Sequence, residues 1–172
     1  GNLSVEVLTE GVHSGAAGGI VPSSFRVARQ LLDRIEDVAS GRMVAEALHT
    51  TIPDERTQQA QRAAEVLGET VYRKYPWKDQ QARPSESPYE LLLNNTWRPT
   101  LSITGADGLP PTASAGNVQL PHLQLKLSFR LPPNCDADAA AVAIKALLEA
   151  DPPRFASTRF DVESALAGWH AP

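Results

Sequence analysis

The chain has 172 residues and a formal net charge of −4, and 42% of its residues are apolar. This length and composition predict one globular domain over residues 1–172, rather than a disordered or fibrous chain. The negative charge argues against nucleic acid or an anionic membrane as a partner, and no apolar run is long enough to cross a bilayer. Because no signal peptide is recognisable, a cytoplasmic protein is expected.

The N-terminal region predicts a strand, a glycine-rich turn and a helix. From Leu3 to Leu8, apolar and polar residues alternate with the two-residue period of a strand that has one buried face. The turn follows as GVHSGAAGGIVPSS, residues 11–24. Its proline and final serines are typical of a helix start, and the helical spacing that follows predicts a first helix to about Val38.

A long segment, at about residues 50–95, separates this helix from the next strand. It contains a helical pattern of alanines and valines, then the polar stretch KYPWKDQQARPSESP and the short apolar run ELLL. The segment has too few large apolar residues for a core of its own. It is therefore predicted to be a helical insertion rather than an independent domain.

The second half of the chain predicts two strands, a helix and a final strand. The first strand covers Thr100–Thr104 and ends in a GADG turn, and regular alternation marks the second strand, Leu123–Arg130. Asp136 is a favourable N-cap for a helix that continues to Leu148, before two prolines. The last strand is expected at about Phe155–Ser164.

In chain order, these elements read β-α-β-β-α-β. This is the split β-α-β, or ferredoxin-like, arrangement of α+β proteins, in which a four-stranded antiparallel sheet carries two helices on one face. The predicted fold is this arrangement with the helical insertion placed between the first helix and the second strand.

The sequence contains few residues in catalytic patterns. The four histidines lie far apart, and none has a second ligand at the spacing of a local metal motif, so no metal site is predicted within the chain. The single cysteine, Cys135, excludes an internal disulfide and is typical of a small buried residue rather than a nucleophile. The GAAGG run lacks the lysine of a phosphate-binding loop, which favours a tight strand-to-helix connection.

Three polar residues stand out among these elements: His13, Asn117 and Arg130. Arg130 ends a strand on its polar face, where a fixed guanidinium can bind a carboxylate through two hydrogen bonds. Asn117 lies in a glycine-containing loop before the same strand, and its amide can orient a polar substrate group. Taken singly, such an arginine is more often solvated or ion-paired, such an asparagine more often serves a turn, and a lone histidine is more often structural.

Four segments occur in a specific order: VHSGAAGGIVP after the first strand, WRPTLSITGADG at the second, GNVQLPHLQLKLSFRLPPNCD across the third, and GWHAP at the exit. Together they resemble the dimerisation, or lid, domain of the dinuclear-zinc peptidase and amidohydrolase family. That family includes carnosinase-like dipeptidases, glutamate carboxypeptidases and aminoacylases. The resemblance covers essentially the whole chain, and the long insertion is most similar to the carnosinase-type branch.

In that family, the lid is inserted into a larger catalytic domain that holds two zinc ions and a general-base glutamate. The resemblance implies that this chain is the lid fragment of a metallopeptidase, with no cofactor of its own and no activity alone. It implies a homodimer in which a helix and an edge strand pair, and the first helix and the strand next to it are the candidates for this contact. The implied substrate of the full-length enzyme is a peptide or an N-acyl amino acid, and the choice between dipeptidase, carboxypeptidase and aminoacylase stays open.

The resemblance also implies roles for individual residues. His13 is similar to the lid histidine that reaches into the partner subunit's active site and stabilises the transition state. Asn117 resembles a polar residue that contributes in the same region, and Arg130 resembles the arginine that holds the substrate's terminal carboxylate. Three glycines would shape the turn that presents the histidine: Gly15, Gly18 and Gly19.

The alternative is a non-enzymatic ferredoxin-like module that binds a small regulatory ligand or another protein, since this fold hosts many functions. The hydrolase interpretation requires His13, Asn117 and Arg130 to cluster on the exposed, partner-facing side of the sheet, unpaired with local acids. A regulatory module would instead have a closed ligand pocket at a dimer seam.

Overall fold

The computed structural model of the chain describes residues 1–169. The elements follow one another as β1 (Asn2–Glu6), β2 (Val12–His13), α1 (Ser14–Ala17), α2 (Ser24–Leu32), β3 (Glu36–Asp37), β4 (Arg42–Met43), α3 (Asp54–Leu67), α4 (Thr70–Arg73), α5 (Pro88–Thr96), β5 (Thr100–Asp107), β6 (Val118–Gln119), β7 (His122–Arg130), α6 (Ala137–Glu149) and β8 (Ser157–Asp161). Short 3₁₀ turns lie at Glu46–Leu48 and Pro153–Phe155.

A four-stranded antiparallel sheet with the strand order β5-β7-β1-β8 forms the centre of the fold. The helices α2 and α6 pack against one of its faces. The strand order and the antiparallel pairing confirm the predicted split β-α-β arrangement. The helices α3, α4 and α5 occupy the segment between α2 and β5, which confirms the predicted helical insertion.

The hydrophobic core lies between the sheet and the two helices. Alternate residues of β1 and β7 are buried there, as their two-residue apolar period predicts. The core-facing residues of these strands and helices include Leu3, Val5, Val27, Leu31, Leu123, Leu125, Leu127, Ile144 and Leu148. The opposite face of the sheet carries polar side chains, and Gln124 donates a hydrogen bond to Ser4 across it at 2.9 Å.

The first helix is shorter than its apolar spacing predicts. It ends at Leu32 rather than near Val38, and Ile35 then enters the core with no exposed surface. Just after the helix, the Arg34 guanidinium donates hydrogen bonds to the Leu147 and Asp151 carbonyls, at 3.0 and 2.9 Å, near the end of α6. The residues after Ile35 form the small β3-β4 hairpin, with Val38 exposed in its turn.

Two strand boundaries also differ from the prediction. The GADG segment, predicted as a turn, continues β5 to Asp107, because a register shift between Ile103 and Gly105 lets the strand keep its pairing with β7. The last strand is Ser157–Asp161, shorter than predicted, because Phe155 belongs to the preceding 3₁₀ turn.

The described residues include no helix long and apolar enough to cross a membrane. Of the predicted exit motif GWHAP, Gly168 and Trp169 are described, and the last three residues, 170–172, lie outside the described residues. A Cβ atom on Gly168 would lie 2.6 Å from the Pro133 Cα, so the exit segment runs close to the chain that follows β7.

Candidate functional site

His13 and Asn117 are brought together by two short strands that the sequence analysis did not predict. The strands β2 and β6 pair antiparallel, with His13 opposite Val118. The Ser14 amide donates a hydrogen bond of 2.9 Å to the Asn117 carbonyl. The glycine-rich turn and the loop before β7 therefore form one structural unit at one end of the sheet.

Further hydrogen bonds hold the two halves of this unit together. The Gln119 side-chain amide donates to the Pro22 carbonyl at 3.1 Å, and the Ser24 hydroxyl donates to the Leu120 carbonyl at 3.3 Å. Sequence reasoning missed both residues, because each partner lies nearly a hundred positions away and no local pattern marks such a contact. Their effect is to fix the backbone on either side of His13 and Asn117.

The orientation of the His13 ring follows from its position at the start of α1. Its Nδ1 accepts a hydrogen bond of 3.1 Å from the Gly15 amide. In a neutral imidazole, the nitrogen that accepts such a bond carries no proton, so the proton is on Nε2. The side chain is exposed, and Nε2 has no hydrogen-bond partner among residues 1–169. His13 therefore presents an N–H donor to whatever approaches this end of the sheet.

The glycines of the turn have different structural roles around His13. A Cβ atom on Gly15 would lie 3.0 Å from Cε1 of His13, so a side chain there would press on the ring. A Cβ on Gly18 would lie 3.0 Å from the Ser14 carbonyl oxygen, and Gly19 has a φ of +82°, which favours glycine. Gly11 was not singled out in the sequence, although a Cβ there would lie 2.9 Å from Cγ1 of Val118.

Asn117 lies in a tight turn in which the Val118 amide donates to the Gly116 carbonyl at 2.9 Å. The backbone carbonyl of Asn117 accepts the hydrogen bond from the Ser14 amide, whereas its exposed side-chain amide has no hydrogen-bond partner within residues 1–169. The backbone thus has the structural role, and the amide group is available to a ligand.

Arg130 lies at the other end of the sheet. It is the last residue of β7, opposite Thr100 of β5, whereas Asn117 lies before the first residue of that strand. The nine residues of β7 span roughly 26 Å, so the structure does not bring Arg130 together with His13 and Asn117 in one chain.

The surroundings of Arg130 leave its positive charge uncompensated. It lines a cleft of about 470 Å³ between the sheet and the segment that follows β8. The acidic side chain in this cleft, Glu163, instead binds Lys126 and Asn2, and these hydrogen bonds hold the pKa of Glu163 below its ordinary value. In the described part of the chain, the exposed Arg130 guanidinium has no ion-pair partner.

Within residues 1–169, no three His, Cys, Asp or Glu side chains come close enough to hold a metal ion. The zinc ions implied by the resemblance therefore have no set of ligands in this part of the chain. Cys135 is buried, and burial raises the pKa of its thiol, which disfavours the reactive thiolate. The chemistry that these residues can supply is hydrogen-bond donation and carboxylate binding.

Residues 1–156 match the model of the M20 peptidase dimerisation domain. The chain belongs to this peptidase dimerisation domain family. The match includes the glycine-rich turn with His13, the loop with Asn117 and the strand that ends at Arg130. Among curated protein sequences, none matches the chain significantly.

Solved structures share the fold of this dimerisation domain. Human carnosine dipeptidase 1 is 20% identical with a TM-score of 0.74, over 99% of this chain and 37% of that one. The dipeptidase Dug1p from Saccharomyces cerevisiae is 18% identical with a TM-score of 0.67, and the match covers 92% of this chain and 33% of the Dug1p chain. The M20 metallo-carboxypeptidase Sso-CP2 from Sulfolobus solfataricus is 18% identical with a TM-score of 0.62, and the match covers 92% of this chain and 37% of the carboxypeptidase chain. This chain spans about a third of the length of each of these structures.

Proposed function

We propose that this dimerisation domain is the lid of a cytoplasmic, homodimeric zinc metallopeptidase that hydrolyses dipeptides or related amide bonds. The two zinc ions and the general base would belong to a separate catalytic domain, which lies outside these residues. The part of this chain would be to join two subunits and to supply His13, Asn117 and Arg130 to the active sites. Membership of the peptidase dimerisation family supports the first part, and the geometry of the three residues supports the second.

The observation that carries the proposal is the hydrogen bond that the Gly15 amide donates to Nδ1 of His13. Hydrolysis of an amide passes through a tetrahedral intermediate whose carbonyl oxygen becomes an anion. A donor aimed at that oxygen accelerates the reaction because it binds the transition state more tightly than the substrate. Since the Gly15 amide occupies Nδ1 of His13, Nε2–H is the donor that remains. The exposed amide of Asn117, beside the same turn, would orient the neighbouring polar group.

The separation of His13 from Arg130 supports the proposal that the two residues of one chain serve different active sites. A dipeptide in an extended conformation is about 7 Å long, much shorter than the roughly 26 Å length of β7. One substrate therefore cannot contact both residues of one subunit. In a symmetric dimer, Arg130 would bind the substrate's carboxylate in one site, and His13 of the opposite subunit would complete that site.

The edge strand β5 is the proposed surface for pairing. Residues 102–107 of β5 are exposed, and β5 is an outer strand of the sheet. Ile103 lies opposite the buried Leu127, yet 51% of its surface is exposed. An uncovered apolar residue on an unpaired edge is suited to a second copy, which would extend the sheet across the dimer.

The direct test is His13→Ala in the full-length enzyme that contains this domain. Turnover should fall by about 100-fold or more, because the change removes a transition-state hydrogen bond. Folding should change little, because the histidine caps only the four-residue α1. Near-normal turnover of a folded variant would refute the role of His13.

A further inference from the structure

A second cleft lies beside the glycine-rich turn and has a volume of about 260 Å³. Its walls come from three separate elements: residues 19–22 of the turn, Arg26, Val27 and Gln30 of α2, and Arg154 with Phe155 of the last 3₁₀ turn. Two cationic side chains, Arg26 and Arg154, therefore line a cleft whose other lining residues are mainly apolar.

The charge of this cleft is unlike that of the chain as a whole. The chain carries a net charge of −4, yet the cleft has two arginines and no acidic residue in its lining. Neither Arg26 nor Arg154 has a side-chain ion pair or hydrogen bond with another residue in the range 1–169. Both side chains are exposed, so their hydrogen-bond donors are available to an anion.

The backbone holds one wall of the cleft in an unusual conformation. Arg154 and Phe155 have φ values of +58° and +59°, in the left-handed region that non-glycine residues rarely adopt. Phe155 is fully exposed at the cleft, and Ile20, which also lines the cleft, is 82% exposed. Strained backbone of this kind persists where the surroundings fix it, and it is concentrated at ligand-binding sites.

Hydrogen bonds at both ends keep the walls in place. Arg34 donates to the Asp151 carbonyl at 2.9 Å, which anchors the start of the segment that carries Arg154. In the glycine-rich turn, the amides of Ile20 and Val21 both donate to the Ala17 carbonyl, at 3.0 and 2.9 Å. The two walls are therefore built before any ligand arrives, which lowers the entropic cost of binding.

We propose that this cleft binds a small carboxylate that carries an apolar group. The guanidinium groups of Arg26 and Arg154 would hold the carboxylate, and Ile20 and Phe155 would cover the apolar group. A free amino acid is a poorer fit, because the lining has no acidic side chain for its ammonium group. This site depends neither on dimer formation nor on the role proposed for His13.

The probe is 3-phenylpropionate, titrated into the purified protein while backbone amide signals are followed by NMR. Saturable shifts are expected at Arg26, Gln30 and Phe155, with a millimolar Kd. Arg26→Gln and Arg154→Gln should each weaken binding by about tenfold, because each removes a charge-assisted hydrogen bond. Arg29→Gln is the matched control, since Arg29 is an exposed arginine on the same helix that does not line the cleft.

Two further ligands test the chemistry of the site. The neutral analogue 3-phenylpropionamide should bind at least about tenfold more weakly, because it lacks the charge that the arginines recognise. Inorganic phosphate should also bind more weakly, because it leaves the apolar walls uncovered. The proposal is overturned if 3-phenylpropionate gives no saturable shifts, if Arg29→Gln weakens binding as much as Arg26→Gln, or if either control ligand binds as tightly as the carboxylate.

Discussion

At the scale of single residues, the candidate site depends on main-chain contacts as much as on side chains. The proton position in His13 is set by the Gly15 amide, and the location of Asn117 is set by the Ser14 amide. Glycine at position 15 also keeps space beside the imidazole ring. A small side chain at position 15 should therefore change the orientation of the imidazole ring without replacing the histidine itself.

We expect Gly15→Ala to displace the His13 ring, because the new Cβ would lie 3.0 Å from Cε1. NMR of the imidazole nitrogens should then detect loss of the single Nε2–H tautomer. The Tm should stay within about 3 °C of the original, because alanine favours a helix more than glycine does.

Gly116→Ala is the matched control, because a Cβ there has no neighbour within 4 Å. It should leave the imidazole signals of His13 unchanged. Unchanged signals in Gly15→Ala as well would contradict the account of how the ring is held.

The three polar residues could be selected from the sequence, but their arrangement could not. The motifs around His13, Asn117 and Arg130 are local, and the family match includes all three positions. That His13 and Asn117 meet while Arg130 lies at the far end of β7 depends on the pairing of β2 with β6 and on the direction of β7. No local sequence pattern predicts these long-range contacts.

At the scale of elements, the strands and helices with a regular apolar period were predicted from the sequence, and their packing in the fold confirms them. The strands β1 and β7 were predicted because alternate residues face the core, and Asp136 caps α6 as expected, since its carboxylate accepts from the Ala139 amide at 3.0 Å. The end of the first helix at Leu32 was not predictable, because the helical spacing of apolar residues continues to Ile35. Elements of two residues, such as β2 and β6, are too short to have a period.

The contact between α6 and β8 predicts how stability depends on pH. The Glu149 carboxylate accepts hydrogen bonds from Lys145 and from the Phe160 amide, the latter at 2.7 Å. The Lys145 bond first, and then the Phe160 bond, hold the pKa of Glu149 below its ordinary value. The stabilisation is present above the pKa of the unfolded chain, about 4.5, and is lost as the pH falls through the lower folded value.

Chemical unfolding between pH 7 and pH 3 should therefore detect a smaller acid-induced loss of stability in Glu149→Gln than in the original protein. Glu36→Gln is the contrasting variant, because burial raises the pKa of Glu36 and its protonation favours the folded state. That variant should lose stability slightly more steeply in acid. Identical pH profiles for both variants would contradict the assignment to Glu149.

At the scale of the whole molecule, the proposed dimer follows from an outer strand that is left uncovered. We expect Ile103→Lys in the full-length enzyme to weaken dimerisation by about tenfold or more, because a charge would be placed at the apolar edge. Val142→Lys on α6 is the control, since Val142 is 70% exposed and lies on the helix packed near the opposite edge. Sedimentation should detect the loss of dimer only for Ile103→Lys. Equal loss of dimer in both variants would contradict a dimer interface at β5.

The most direct test of the central claim is to mix two inactive variants of the full-length enzyme, His13→Ala and Arg130→Ala. If each active site combines Arg130 of one subunit with the partner's His13, a mixed dimer has one complete site. Random exchange of equal amounts should then restore about a quarter of the original activity. If the two residues of one chain served the same site, each mixed site would lack one residue, and the mixture would stay inactive.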